Sequence, residues 1–194
     1  MNEELESLAG RVRDQQARVR ALFESTDAER LVRRPIPERW SVVEHIAHIG
    51  LTDRPYLERI HWALEKGRVA GRLGSGPYRG GVIGNWFARS MAPPPKRRMR
   101  TTKRLEPPID LDPVDVLADF EARCDALVAS LVAADGLDLD ALRMSSPFLA
   151  LLRMPVSSAY RVLVGHGDRH LWLVEEMLGR SDRAVADAAD EDAG

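Results

Sequence analysis

The chain has a single cysteine, Cys124, so no intramolecular disulfide can form and the 194 residues must hold together by apolar packing. Neither charge dominates. The 28 Lys and Arg residues face 30 Asp and Glu, which removes any global attraction to nucleic acid or to an acidic membrane surface. No apolar run is long enough to span a bilayer, and the charged start MNEELESLAGRVRDQQ lacks the apolar centre of a signal peptide. A cytoplasmic protein with no membrane or nucleic-acid partner is expected. Strand signals are missing too: no segment alternates convincingly between apolar and polar residues.

What remains is helical. Leu5, Leu8, Val12, Val19 and Leu22 recur at helical spacing and predict a first helix over about residues 2 to 24. Pro35 and Pro37 interrupt the pattern. Ser41 followed by Glu44 is a capping-box signature, which starts a second helix that runs to a stop near Gly67, with a kink expected near Pro55. From Gly67 to Asp112 the chain is rich in Gly, Pro and Arg, a long connection with one short helix expected around GNWFARSM. Asp112 and Pro113 open a third helix whose stripe is Leu117, Phe120, Cys124, Leu127 and Leu131. A fourth opens around Ser157 and is expected to end at Gly179, leaving SDRAVADAADEDAG as a flexible acidic tail. The fold class that follows is all-α: a four-helix bundle with a long connection between helices 2 and 3, in one domain over residues 1–180. The connection is expected to cross the bundle or cover one of its ends.

On the fourth helix the buried stripe Ala159, Val162, Leu163, His166, His170, Leu173, Val174 and Met177 includes two histidines four residues apart. Four residues make about one turn, so the rings project side by side and can converge on one ion. A pair alone is a moderate signal; a third ligand is needed. The second helix offers His45, His48 and His61, the last read as partly exposed. His45 and His48 lie about 300° apart on the helical wheel and are not both expected to point straight into the core. Periodicity does not choose between them.

The segment WSVVEHIAHI, with Trp40, Ser41, Glu44 and His48, together with HGDRHLWLVEEM, resembles the DinB/YfiT-like superfamily of metal-binding four-helix bundles. The resemblance covers about residues 5 to 180. It implies a divalent metal, zinc or nickel first, held by His48, His166 and His170. Three protein ligands would leave positions open, as in catalytic rather than closed structural sites. It also implies a metal-dependent enzyme of the thiol-dependent transferase or isomerase type, with a small-molecule substrate and a low-molecular-weight thiol. A non-catalytic metal or small-ligand binding protein and a metal-dependent hydrolase are the alternatives.

The sequence points to no catalytic side chain. Glu44 is explained by its capping role, Asp168 is expected to be solvated, Cys124 reads as a small buried thiol, and Trp40 as a packing residue at the start of its helix. The basic segment 93–104 is read as a solvated loop, with a substrate lid as the functional alternative. A homodimer is expected from apolar residues off the main stripes: Leu22 and Phe23 on the first helix, Tyr160, Val164, Leu171 and Leu178 on the fourth.

Overall fold

The computed structural model describes residues 1–94, 101–148 and 151–191, with side chains as far as residue 179. Its elements are α1 (Glu3–Ser25), α2 (Ala28–Val32), α3 (Val42–Val69), α4 (Val82–Met91), a 3-10 turn (Lys103–Leu105), α5 (Pro113–Ala133), β1 (Arg143–Ser145), β2 (Arg153–Pro155) and α6 (Val156–Glu191). The four long helices are α1, α3, α5 and α6.

Each long helix before the last starts at a side-chain cap. Asn2 accepts from the Glu4 amide at 2.9 Å, and Glu3, Glu4 and Glu6 complement the positive end of α1. The Ser41 hydroxyl accepts from the Glu44 amide and the Glu44 carboxylate accepts from the Ser41 amide, closing the capping box of α3. Asp112 accepts from the Val114 amide at 2.7 Å, with Pro113 in the first turn of α5. Helix α3 continues through Pro55, because Ile49, Tyr56 and Ile60 are packed into the core on either side of it.

The bundle is closed by α1 packing on α5 and α6, and by α3 packing on the same two helices, so α1 and α3 stand at opposite corners. The long connection therefore joins two neighbours, α3 and α5. Its length serves another purpose: α4 reaches over to lie against α6. Gly84 makes that approach possible, since a Cβ there would stand 2.6 Å from the Cβ of Ser158.

Three expectations need correction. Gly179 does not end the last helix, which continues to Glu191; a helix-interior glycine costs only about 1 kcal/mol, and the Ala, Asp, Glu and Arg residues that follow it permit helix. A short antiparallel hairpin exists, pairing Met144 with Met154 between α5 and α6. Three residues per strand are too few for an alternation to stand out in sequence. The apolar residues assigned to a dimer interface are inside the chain: Tyr160, Val164 and Leu171 are fully buried, and Leu22, Phe23 and Leu178 pack against the core. Packing of α4 against α6 helps to enclose the α6 residues. No helix among the described residues is long and apolar enough to cross a membrane.

Candidate metal centre

Two elements, α3 and α6, bring the histidines together. His48 comes from the second turn of α3, and His166 and His170 from adjacent turns of α6. Ring centroids are 5.3 Å apart for His48 and His166, 4.8 Å for His48 and His170, and 4.6 Å for His166 and His170. Each ring offers one nitrogen, and these nitrogens all lie within 4.8 Å of one another. Two nitrogens bound to one zinc at about 2.1 Å can be no more than about 4.2 Å apart, so slight ring rotations would complete the set.

The outward nitrogens are held by neighbours. His48 donates through Nδ1 to the Leu105 carbonyl at 2.8 Å, which pins the 3-10 turn of the long connection onto α3. The Thr52 hydroxyl lies 3.1 Å from the His48 carbonyl and 2.9 Å from that of Ile49, where its single proton goes. Its oxygen then accepts from His166 Nδ1 at 3.3 Å. His170 Nδ1 meets His45 Nδ1 at 3.0 Å, and one of the two must carry the proton. With His170 as donor, all three rings turn a bare Nε2 inward, the form a metal requires.

Burial keeps the cluster neutral. It pushes His166 down to about 3, with help from His48, and His45 down to about 4, again with His48 contributing. The same desolvation lowers His48, and lowers His170 well below the ordinary histidine value, with His166, His45 and His48 adding to it. Neutral imidazoles are the metal-binding species.

Behind His166 lies a second polar cluster. Asp53 is fully buried and accepts from Arg123 Nε at 2.7 Å and again from Nη2. Burial raises the Asp53 carboxyl, and the guanidinium opposes that rise. Arg123 also reaches Gln15, whose amide donates to the Val164 carbonyl at 2.9 Å and to Asp168 at 2.6 Å. Asp168 is paired with Arg11 as well, so it is a bonded group and not the solvated one expected: Arg11 and Gln15 of α1 reach across to α6 at that position. Gly167, between the two histidines, leaves room for Gln15, because a Cβ there would stand 2.9 Å from its Cδ. Asp53 Oδ1 is 3.9 Å from His166 Nδ1, and the Thr52 hydroxyl, 3.4 Å from Asp53 Oδ1, joins the two clusters.

Around the site, Trp40 covers the rings of His48 at 4.7 Å and His45 at 5.4 Å and stacks toward His170 at 6.3 Å. Glu44 is capping and paired: burial works against its charge, but Arg34 and Ser41 outweigh that and hold the carboxyl below its usual range. Cys124 is wholly buried and its thiol is pushed up by desolvation. His61 is exposed and away from the cluster. Lys96, Arg97, Arg98 and Arg100 of the basic segment lie outside the described residues.

The sequence reading weighed His45 against His48 and missed that both lean toward the cluster. A separation of about 300° is equally one of about 60°, narrow enough for both α3 rings to lean toward α6. It also missed Gln15, Asp53 and Arg123, although each had a visible signal as a polar residue on an apolar stripe. Leu8, Val12, Gln15 and Val19 share one helical spacing, as do Ile49, Asp53, Tyr56 and Ile60, and Phe120, Arg123 and Leu127.

A family model described as the DinB superfamily matches residues 11–174, which takes in His48, His166, His170 and most of every long helix. The chain belongs to the DinB superfamily. No curated protein and no solved structure matches it. Within this DinB-superfamily chain, the two histidine-bearing segments are far apart in sequence and adjacent in space.

Proposed function

We propose that His48, His166 and His170 hold one divalent metal ion, zinc or nickel, and that the chain is a metal-dependent enzyme of the thiol-transferase or isomerase type. The observation that carries this reading is the division of labour within each ring: Nδ1 of His48, His166 and His170 is engaged by Leu105, Thr52 and His45 respectively. That leaves the second nitrogen of each free for an ion. The donor set of three neutral imidazoles fits a borderline metal. A metal so held keeps positions open and lowers the pKa of a thiol or water bound there.

The choice of a thiol over water rests on which bases are free. Asp53 is committed to Arg123, and Glu44 to Arg34 and the Ser41 amide, so neither buried carboxylate beside the site is available to take a proton from water. A thiol starts from a pKa near 8.5, against about 15.7 for water, so a bound metal takes it fully to the anion with no base to help, whereas bound water is left near neutrality. The chain cannot supply the thiol itself, because Cys124 is sealed in the core. A diffusible low-molecular-weight thiol is the co-substrate.

The test is metal-dependent consumption of thiol. Untagged protein, analysed for metal by elemental methods, is incubated with a panel of low-molecular-weight thiols and electrophiles before and after chelation. Thiol loss that requires metal and disappears in His166→Ala is expected. Metal bound without thiol turnover would favour the non-catalytic binding protein, and turnover of esters or amides without thiol would favour the hydrolase.

A further inference from the structure

The stripe of α3 that carries His48 does not end there. Leu51, Pro55 and Glu58 follow at spacings of three and four, and they form one wall of a cleft of about 330 Å³. This is at the small end of ligand pockets. Leu105 belongs to another wall, and its carbonyl is the acceptor that holds His48, so the cleft and the histidine cluster share a boundary. The end of the hairpin supplies Phe148, set edge-on to Tyr56 at 5.8 Å, while the Tyr56 hydroxyl is tied to Ser146 at 3.0 Å. Leu51 and Phe148 remain 40 % and 36 % exposed, apolar surface turned toward a concavity.

Two cations line the same space. Arg59 uses one guanidinium nitrogen on the Ser145 carbonyl at 3.2 Å, and its other donors have no partner among the described residues. Arg104 has no hydrogen bond or ion pair with any described residue. Glu58 also lines the cleft, so the described residues that line it carry a net charge of one positive. That balance suits a singly charged anion, and the planar guanidinium matches a carboxylate.

We propose that this cleft is the acceptor-substrate site, and that it takes a small molecule with one carboxylate on an aryl or branched-alkyl body. The carboxylate lies with Arg104 and Arg59, and the apolar body lies over Leu51, Pro55 and Phe148. The substrate class deepens the proposed function and rests on it for the reaction, but the binding is a property of the cleft alone.

Titration calorimetry with phenylacetate and with phenylacetamide, its neutral counterpart of the same size, reads this directly. The expected result on the zinc-loaded full chain is an acid bound about tenfold tighter than the amide. Arg104→Gln removes that preference with metal content unchanged, and chelation leaves it in place. Equal affinities, no binding of either probe at millimolar concentration, or a preference that persists in both Arg104→Gln and Arg59→Gln would overturn the proposal. So would a preference that vanishes with the metal, since the carboxylate would then be sitting on the ion. A protein that binds no metal defeats the metal reading, while the comparison of acid with amide still decides the cleft.

Discussion

Two polar clusters are buried side by side in this bundle, and they differ in whether they are complete. Asp53, Arg123, Gln15 and Asp168 satisfy one another across α3, α5, α1 and α6: a carboxylate against a guanidinium, an amide between them and a second carboxylate. Nothing further is needed there. His45, His48, His166 and His170 are all depressed by burial and, among the described residues, have no carboxylate within hydrogen-bonding range, Asp53 lying 3.9 Å from His166. One nitrogen from each of His48, His166 and His170 lies within 4.8 Å of the other two. The first cluster is closed by its own partners, and the second gathers neutral rings that a ligand could join.

The largest effect is expected at Arg123. Arg123→Met would leave the Asp53 carboxylate buried without its partner, and a loss of about 3 to 5 kcal/mol in unfolding free energy is expected from urea titration. Replacing both members, Asp53→Leu with Arg123→Met, should recover most of it, because no buried charge is then left alone. A double variant as unstable as the single would mean that the pair does more than neutralise itself.

The histidine cluster should respond to a different perturbation. Chelation of metal-loaded protein is expected to remove only the binding term, about 3 to 4 kcal/mol if free metal stood at a hundred to a thousand times its dissociation constant, and to leave the helical circular dichroism intact. The core needs no ion: apolar residues of all four long helices form one continuous buried cluster. His166→Ala and His170→Ala should each abolish stoichiometric metal while remaining folded. Helicity lost on chelation at room temperature would make the site structural.

Acid sharpens the difference further. Each depressed histidine stays neutral in the folded chain while its unfolded counterpart takes a proton below about 6.5. The metal-free protein therefore has its full stability above that pH and loses it as pH falls, with His45 contributing down to about 4 and His166 down to about 3. The slope is on the order of 1 kcal/mol per pH unit for each such ring. Chemical denaturation at a series of pH values measures it, and the single variant His45→Asn should show a shallower decline. A curve flat from pH 7 to 5 would mean that the folded rings take up protons over the same range as the unfolded ones.

Legibility followed the same division. The HxxxH spacing, the Ser41 and Glu44 cap and the third-helix stripe are local patterns, written within a turn or two of chain, and they could be read directly. Gln15, Asp53 and Arg123 each broke an apolar stripe visibly, but that they meet one another depends on α1 and α3 standing at opposite corners with α5 between them, which no local spacing encodes. The role of Leu105 was beyond reach for a stronger reason. It acts through a backbone carbonyl, and any residue could have supplied that.

The smallest expected effect tests the junction between the clusters. Thr52 touches both: its hydroxyl accepts from His166 Nδ1 and lies 3.4 Å from Asp53 Oδ1. Thr52→Val keeps the shape and removes the oxygen, so His166 loses the acceptor that fixes its ring while Asp53 keeps both bonds from Arg123. Stability should fall by about 1 kcal/mol, one hydrogen bond's net contribution. Metal affinity should fall about tenfold, the lower end of what loss of a ligand's supporting partner costs. Thr52→Ser, which retains the hydroxyl, should restore the affinity even if the missing methyl leaves some instability behind. Competition with a chelator of known strength separates the two effects. If affinity in Thr52→Val is unchanged while stability drops, Thr52 belongs to the Asp53 cluster alone, and the orientation of His166 is set by packing against α3.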